Sequence, residues 1–302
     1  KPSNGNYYNS HRVATVTVVE HNFDGSRFKL EGNGTLSGWS GSGDTHTATV
    51  AFNEDGEYEF SISGKDLADN ESESYSSGKF NIDATTPELS VEGIDNGVSY
   101  KKDVNFSIKM SDNNIDISKT TVTLTGRKNG NIRVNGVVND KTGEFTFSDL
   151  PKEEVFDDVY TMVARVVDKA GNTAEKTIKF SVNRYGSAYK FLDSKILGTY
   201  INTPEDAVIT ETNVDKLDMS KAKVSVIRDG NEIPVDEKYI HIEESGGDTD
   251  KYTYTYTVDK AVFDTDGKYV MQVYSHAEEG TDYNSVSEEY AFVLDTTAPE
   301  II

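Results

Sequence analysis

The stretch "DDVYTMVARVV" (residues 157–167) decides the fold class of this chain. Tyr160, Met162, Ala164 and Val166 alternate there with other residues. Such an alternation indicates a β-strand with one buried face, because successive side chains of a strand point to opposite faces. The Asp-x-x-Tyr that opens the strand is typical of a tyrosine corner, in which the ring packs in a sandwich core and the hydroxyl bonds back to the preceding backbone.

The same pattern occurs at two other places in the chain. "DGEY" (residues 55–58) and "DGKY" (residues 266–269) also begin alternating strands. The three tyrosines lie roughly 100 residues apart, which is the usual length of one Ig-like sandwich. About 20 residues after each tyrosine comes a further strand. We therefore predict an all-β protein with three tandem Ig-like β-sandwich domains in an elongated array.

The boundaries between the repeats are marked by related linkers. "DATTPELS" (residues 83–90) reappears as "DTTAPEII" (residues 295–302), whereas "NRYGSAY" (residues 183–189) lacks the proline. Proline cannot donate to a ladder and biases the residue before it towards extended backbone. These linkers predict Ig-like domains over residues 1–84, 85–184 and 185–297, and the start of a following repeat at 298–302. We expect the chain to be a segment of a longer mature protein.

Composition restricts the class of function. The 302 residues include 30 Lys and Arg against 52 Asp and Glu, which gives a net charge of −22. So acidic a chain repels phosphate backbones, which argues against nucleic-acid binding, and it offers many carboxylates to hard cations such as calcium. There is no cysteine, which excludes disulfides and thiolate metal sites. No apolar run has the length of a membrane span.

Motifs of catalysis are also missing from the sequence. The five histidines are not spaced as a metal-binding pair, and no Gly-x-Ser-x-Gly elbow occurs. Carboxylates are so frequent that no pair stands out for glycoside hydrolysis. We therefore predict that the chain is not an enzyme and has no catalytic or cofactor-binding residues.

Three features together carry a family resemblance: the "DATTPELS" linker, "VVDKAGNTAE" (residues 166–175) and the Asp-x-x-Tyr strand. Their combination resembles the bacterial Ig-like repeats of Gram-positive cell-surface, adhesin-like proteins. The resemblance covers the whole chain, most clearly the first two repeats. The third departs from it, because "SHAEEGTDYNS" (residues 275–285) replaces the "DKAGN" turn.

The resemblance implies an extracellular, cell-surface segment that acts as a stalk, spacer or adhesion module without catalysis. Anchoring to the cell wall would use regions outside this chain. The alternative is an adhesin domain that binds a host glycan or host protein through exposed aromatic side chains. We expect a monomer whose partners are such a glycan or protein, or neighbouring Ig-like repeats.

The stretch "EHNFD" (residues 20–24) has the ingredients of a metal or acid–base site, but the repeats contradict that interpretation. It aligns with "DNNID" (residues 112–116) and "ETNVD" (residues 211–215), so the shared pattern is acid, any residue, Asn, apolar, Asp. His21 occupies the variable position, where the other repeats have Asn and Thr. The shared residues instead predict a turn between strands, with Asn in an Asx turn and the last Asp as its cap.

The acids of these turns predict a calcium site as one of two alternatives. In an Ig-like sandwich, the turns after the second and sixth strands lie at the end where the chain enters. Asp83, Asp112, Asp116 and Asp168 would meet at that end of the second repeat. Calcium takes six to eight oxygen ligands, of which carboxylates could supply most. The alternative is that the four aspartates only form solvated turns.

Two aromatic features are candidates for ligand binding. Trp39 lies in the loop "GTLSGWSGSGD" (residues 34–44), where it either meets a ligand or folds back onto the sheet edge. Tyr252, Tyr254 and Tyr256 share one strand face, as a sugar-stacking platform or as part of the core. The equivalent strand of the first repeat alternates in the same way, which favours the core.

Overall fold

The computed structural model describes residues 6–148, 150–192, 196–248, 250–277 and 284–301. Within these ranges the regular structure consists of β-strands and single turns of 3₁₀ helix, so the predicted all-β, Ig-like fold class is confirmed. No helix among the described residues has the length and hydrophobicity needed to span a bilayer. Ile302, the last residue of the predicted following repeat, lies outside the described residues.

The first unit, residues 6–83, contains short strands in three small sheets with orders β2-β6-β4, β1-β10-β7 and β3-β8-β9, and β5 also pairs with β6. Its strands are β1 Tyr7–Tyr8, β2 Arg12–Val19, β3 Lys29–Gly32, β4 Thr35–Leu36, β5 Ser40–Ser42, β6 Thr45–Phe52, β7 Gly56–Tyr58, β8 Phe60–Ser63, β9 Tyr75–Ser76 and β10 Phe80–Ile82.

The middle unit, residues 86–183, is a complete two-sheet sandwich. Its strands are β11 Glu88–Glu92, β12 Ser99–Tyr100, β13 Asn105–Ser111, β14 Thr121–Gly126, β15 Gly130–Ile132, β16 Asn135–Val138, β17 Thr142–Ser148, β18 Asp158–Val167 and β19 Thr173–Val182. The two sheets have the orders β11-β13-β17-β16 and β12-β19-β18-β14-β15.

The third unit, residues 188–295, repeats this topology. Its strands are β20 Ala188–Phe191, β21 Tyr200–Ile201, β22 Ala207–Asn213, β23 Lys223–Arg228, β24 Asn231–Glu232, β25 Ile240–Gly246, β26 Tyr252–Val258, β27 Gly267–His276, β28 Asn284–Val286 and β29 Tyr290–Leu294. The orders are β20-β22-β26-β25 and β21-β29-β27-β23-β24, and β28 pairs with β27.

Each unit has its own ladders and its own buried cluster. No ladder between described residues joins strands of two units, and the three hydrophobic clusters lie in separate parts of the chain. In every unit a two-residue strand near the start pairs in parallel with the last strand, as β12 does with β19. These groupings are compatible with the predicted domain boundaries, which stay a prediction.

The alternation that the sequence shows at residues 157–167 sets the register of the middle sandwich. On β18, Tyr160 and Met162 are fully buried and lie opposite Phe180 and Ile178 of β19. Their side chains share one face of the sheet because both strands alternate with the same period of two. A shift of one residue would move all of them to solvent, so the burial fixes the pairing.

The three predicted tyrosine corners are present. Each tyrosine hydroxyl donates to the carbonyl oxygen four residues earlier: Tyr58 to Glu54 at 2.7 Å, Tyr160 to Phe156 at 2.6 Å and Tyr269 to Thr265 at 2.8 Å. A turn of 3₁₀ helix lies before two of them, at Glu154–Phe156 and Lys260–Val262. The rings of Tyr160 and Tyr269 are fully buried, whereas Tyr58 is half-buried.

We expect Tyr160→Phe and Tyr269→Phe each to lower the free energy of unfolding of its own unit by about 0.5–1.5 kcal/mol, because a partly buried hydrogen bond is lost. Tyr58→Phe should cost less, since the bond from Tyr58 to the exposed Glu54 is open to water. Thermal unfolding followed by hydrogen exchange in each unit measures these losses. Equal destabilisation of all three units by one substitution would contradict the assignment of separate cores.

Candidate functional site

Three of the four aspartates predicted to bind calcium meet at the junction of the first and middle units. Asp83 follows β10, Asp112 follows β13 and Asp168 follows β18. Each contributes a carboxylate oxygen, and these oxygens lie within 4.8 Å of one another. Asp83 and Asp168 are 5% and 0% exposed, and Asp112 is half-buried. We call these three residues the junction carboxylates.

The loop after β18 holds Asp168 and also reaches the linker. Asp168 Oδ1 accepts the backbone N–H groups of Gly171 at 2.6 Å and Asn172 at 2.7 Å, and its Oδ2 accepts Asn172 Nδ2 at 2.6 Å. The same amide donates to the backbone carbonyl of Asp83 at 2.7 Å. Asn172 therefore connects the loop of the middle unit to the last residue of the first.

Asn114 connects the other two carboxylates in the same manner. Its backbone N–H donates to Asp112 Oδ1 at 2.7 Å, so the Asx turn is made by the acid and not by the predicted Asn, and its Nδ2 donates to Asp83 Oδ2 at 2.9 Å. Two asparagines thus orient three acids. The repeated Asn of the turn has a role between units as well as within the turn.

The proximity of the acids changes their ionisation. Burial raises the pKa of Asp112, and the charges of Asp83 and Asp168 raise it further. Burial also raises the pKa of Asp168, against the lowering effect of the bonds from Asn172 and Gly171. Carboxylates that are hard to ionise when close together become easier to ionise when a cation lies between them. Hard oxygen donors in this arrangement suit calcium.

Asp116, the fourth predicted ligand, is not one of the junction carboxylates. Its Oδ1 accepts Ser118 N–H at 3.1 Å and Ser118 Oγ at 2.6 Å, and its Oδ2 lies 2.9 Å from Lys119 Nζ. Bonds from Ser118 and Lys119 lower the pKa of Asp116. It therefore forms the turn cap that the sequence also predicted, as Asp24 does with Ser26 in the first unit.

The equivalent turn of the third unit is built differently. Asn183 occupies the linker position of Asp83, and Glu211 occupies the turn position of Asp112. Ala277 forms the isolated β-bridge that Asp168 forms in the middle unit. Only one acid of the three remains. Glu211 is fully buried, and its carboxylate accepts hydroxyls of Ser275 at 2.6 Å and Tyr256 at 2.7 Å. The donors to this carboxylate are thus neutral hydroxyl groups.

The role of the last aspartate in the turn also differs. Asp215 was predicted to cap the turn, but Asp218 does so through Ser220. Asp215 instead accepts Ser99 Oγ at 2.6 Å and Asn183 Nδ2 at 2.8 Å. A turn with three more residues before its cap leaves Asp215 available to bind the middle unit and the linker.

Arg127, at the end of β14, joins the middle unit to the third. Its Nη1 donates to the carbonyl of Gly247 at 2.9 Å and its Nη2 to that of Val214 at 3.1 Å. The guanidinium lies 5.3 Å from the centre of the Tyr252 ring. Only 12% of the Arg127 side chain is exposed, so these contacts are shielded from water. Sequence reasoning missed this residue, because nothing near it in the chain signals a partner 87 or 120 positions away.

Two ion pairs lie beside this contact. Lys128 Nζ is 2.8 Å from Asp250 Oδ1, and Lys251 Nζ is 2.5 Å from Glu154 Oε1. Both pairs cross from the middle unit to the third. Exposed pairs of this kind contribute little energy individually, so they orient the junction more than they stabilise it.

Trp39 packs back onto the first unit. Its ring lies 5.1 Å from that of Phe23 and 5.5 Å from that of Phe28. A Cβ added at Gly25 would lie 2.6 Å from Trp39 Cδ1, so the indole needs a glycine beneath it. This is the folded-back alternative of the sequence analysis. Ligand binding by Trp39 stays a prediction.

The tyrosines of β26 belong mainly to the core, as the alternation favoured. Tyr254 and Tyr256 are fully buried, and Tyr252 is half-buried beside Arg127. They therefore offer no open face to a sugar ring. His21, in the variable position of its turn, is largely exposed and pairs with Asp44 at 2.8 Å, which raises its pKa.

Solved structures with a similar arrangement include Ig proteins of several kinds. Dpr2 Ig1–Ig2, crystallised in complex with DIP-Theta Ig1–Ig3, is 12% identical with a TM-score of 0.43, covering 95% of this chain and 94% of that one. A tetra-tandem repeat from the extending region of a large adhesion protein is 17% identical with a TM-score of 0.45, covering 95% and 75%. A marsupial T cell receptor is 9% identical with a TM-score of 0.37, covering 94% and 97%.

Among curated proteins, none matches this sequence. A family model does match, and its match coincides with the middle unit, where the linker, the "DKAGN" turn and the tyrosine corner all occur. The predicted resemblance to bacterial Ig-like repeats is thereby confirmed for this part of the chain, whereas the Gram-positive, adhesin-like context stays a prediction. Residues 86–184 match the family model of a bacterial Ig-like domain.

Proposed function

We propose that this chain is a non-catalytic, extracellular segment of a bacterial surface protein that serves as a stalk or spacer for adhesion. The observation that carries the proposal is the Arg127 contact between the middle and third units. Neighbouring domains of one chain usually move relative to one another unless their interface is held. A spacer that keeps a distal site away from the cell has to limit that motion.

The contacts at this junction are suited to that task. Arg127 bonds to two backbone carbonyls, whose positions do not depend on side-chain rotamers. Asn183, the linker residue, is 3% exposed and donates to Asn213 and Asp215. Hydrogen bonds with a charged partner contribute about 1.5–3 kcal/mol each when shielded from water. Several of them at one linker would favour a single orientation of the two units.

We further propose that calcium completes the junction of the first and middle units. The junction carboxylates combine one residue of the linker, Asp83, with two residues of the middle unit, Asp112 and Asp168. A cation bound to all three would fix the linker to the middle unit. Bound calcium would supply the positive charge that balances the three acids of this junction. At the other junction the linker residue is the neutral Asn183, so no such charge is needed.

The calcium proposal is tested by comparing Asp112→Asn with Asp116→Asn. The first change removes a junction carboxylate but keeps an oxygen for the Asn114 N–H, whereas the second changes a cap in the same turn. We expect calorimetry to show calcium binding by the unchanged chain and by Asp116→Asn, and at least about tenfold weaker binding by Asp112→Asn. If the unchanged chain is first freed of calcium with chelator and then gives no binding heat when calcium is added, the site is ruled out.

The raised pKa values predict a pH dependence in the absence of calcium. Because Asp112 and Asp168 hold protons more tightly when folded, the middle unit should lose stability as pH rises from near 4 through their raised pKa values. At pH 7, Asp112→Asn should therefore raise the melting temperature in chelator, by about 2–4 °C for a gain of roughly half a kcal/mol. A lower melting temperature for this variant would show that the carboxylates do not repel one another.

The spacer proposal is tested by small-angle scattering of Arg127→Ala. Loss of the two carbonyl contacts should broaden the distribution of distances in solution, while the melting temperatures of the middle and third units change little. Arg133→Ala, an exposed arginine of the same unit, is the matched control and should scatter like the unchanged chain. If the unchanged chain is already as flexible as Arg127→Ala, the spacer function is wrong.

A further inference from the structure

A cleft lies between the middle and third units, beside Arg127. Its volume is about 670 Å³, which is within the range of small-molecule binding sites. The middle unit provides the floor, which is the outer face of the sheet that contains β14, β18 and β19. The third unit provides the opposite wall through the turn after β22 and the loop before β26. We call this space the Arg127 cleft.

The floor of the Arg127 cleft consists of two rows of side chains across the sheet. In the first row Thr161 lies between Thr125 and Lys179, and in the second row Val159 lies opposite Ser181. These side chains share one face of the sheet because those on the same strand are two positions apart. The alternation that fills the core from one face of β18 therefore leaves a largely polar surface on the other face.

Two hydroxyl groups of this floor are available to a ligand. Among the described residues, no group forms a hydrogen bond with the hydroxyl of Thr161 or of Ser181. Ser181 is only 6% exposed, and its side chain lines the cleft. A polar side chain that is more than nine-tenths buried normally has a hydrogen-bond partner. The partner of Ser181 therefore has to come from a group inside the cleft.

The charges around the Arg127 cleft balance one another. The charge of Arg127 itself is opposed by Asp158, whose Oδ1 lies 3.9 Å from Arg127 Nε. Two cations and two anions line the rest of the cleft: Lys179, Lys216, Asp215 and Asp248. A cation site would need converging carboxylates, and an anion would be repelled by a chain with a net charge of −22. The cleft therefore suits a neutral ligand whose groups both donate and accept hydrogen bonds.

Apolar surface lies beside these polar groups. Val98 is 37% exposed and lines the cleft together with the half-buried Val159 and Ala277. A sugar ring has a face of C–H groups and an edge of hydroxyl groups, so its recognition needs apolar and polar contacts side by side. Carboxylates accept hydrogen bonds from such hydroxyls, ammonium groups donate to them, and protein hydroxyls do both. The mixture in the cleft matches this requirement.

We propose that the Arg127 cleft binds a short, neutral oligosaccharide. Thr161 and Ser181 bond to its hydroxyls from the middle unit, Asp248 does so from the third, and Val98 packs against a ring face. This site differs from the adhesin predicted from the sequence, which would use exposed aromatic side chains. It also goes beyond the spacer function, because a spacer needs contacts between its units but no ligand.

A peptide fits the same cleft less well. Peptides that bind along a sheet usually add a strand to a free edge, where backbone groups are unpaired. The floor of the Arg127 cleft is the face of strands that are already paired on both sides, as β18 is with β14 and β19. The groups that the cleft offers are therefore side chains, and their spacing across two rows suits the hydroxyls of a sugar.

Titration of the full chain with cellobiose, lactose and N,N′-diacetylchitobiose, followed by amide NMR, tests the proposal. At least one of these neutral disaccharides should shift the signals of Thr161 and Ser181 on the floor and of Gly247 on the wall, with saturation at millimolar concentration. Trialanine should leave these signals in place. If none of the three sugars shifts them up to its solubility limit, or if trialanine alone does so, the proposal is overturned.

One substitution on each side of the cleft provides the second measurement. Thr161→Val removes a hydroxyl at nearly constant shape and Asp248→Ala removes a surface carboxylate, so each should weaken disaccharide binding by about fivefold or more. Thr177→Val and Glu205→Ala are the matched controls and should bind like the unchanged chain. Thr177 is exposed on the same sheet face as Lys179, and Glu205 is an exposed acid of the third unit.

The pair of substitutions also decides where the sugar lies. Full-strength binding by Thr161→Val or by Asp248→Ala would contradict a site that both units share. Melting temperatures close to that of the unchanged chain establish that the variants are folded, which is expected because neither residue belongs to a core cluster. Small-angle scattering decides the spacer function separately, since a chain that is flexible in solution and still binds the sugar refutes the spacer alone.

Discussion

The organisation of this chain depends on one contact: the residue after the last strand of a unit is buried in the end of the next unit. Asp83 and Asn183 occupy this position and are 5% and 3% exposed. Both bond to the asparagine of the following turn, Asn114 or Asn213. A buried polar group needs partners, so the linker can adopt few orientations without leaving a group unsatisfied. The turn, the linker and the sheet ends are thereby one structure.

The two junctions provide partners for the buried linker residue with different chemistry. At the first junction, the carboxylates of Asp112 and Asp168 lie close to that of Asp83, so negative charge accumulates there. At the second, an amide replaces the aspartate and hydroxyl groups surround Glu211, so little charge needs an external partner. Arg127 then adds a cation from the protein itself. The first junction thus gathers acids, whereas the second is satisfied by groups of the chain itself.

Features that depend on neighbours in sequence could be predicted well. The tyrosine corners join residues four apart, the strand faces follow an alternation of two, and the comparison of repeats assigned His21 to a variable position. Features that depend on how distant parts of the chain meet in the fold could not be predicted from the sequence. Asp112 and Asp116 both lie in one turn, and only the fold shows that the first faces the linker while the second caps the turn. Asp215 and Asp218 differ in the same way, and no local signal connects Arg127 with Gly247.

The parallel pairing of first and last strands has a mechanical consequence. In each unit a two-residue strand near the entry of the chain lies parallel to the strand by which the chain leaves, as in β1 with β10 and β21 with β29. Tension on the two ends of a unit pulls such strands past each other along their length. Their hydrogen bonds then carry the load together and do not open one at a time. A unit joined in this way resists stretching through this short pair of strands, before its core is disturbed.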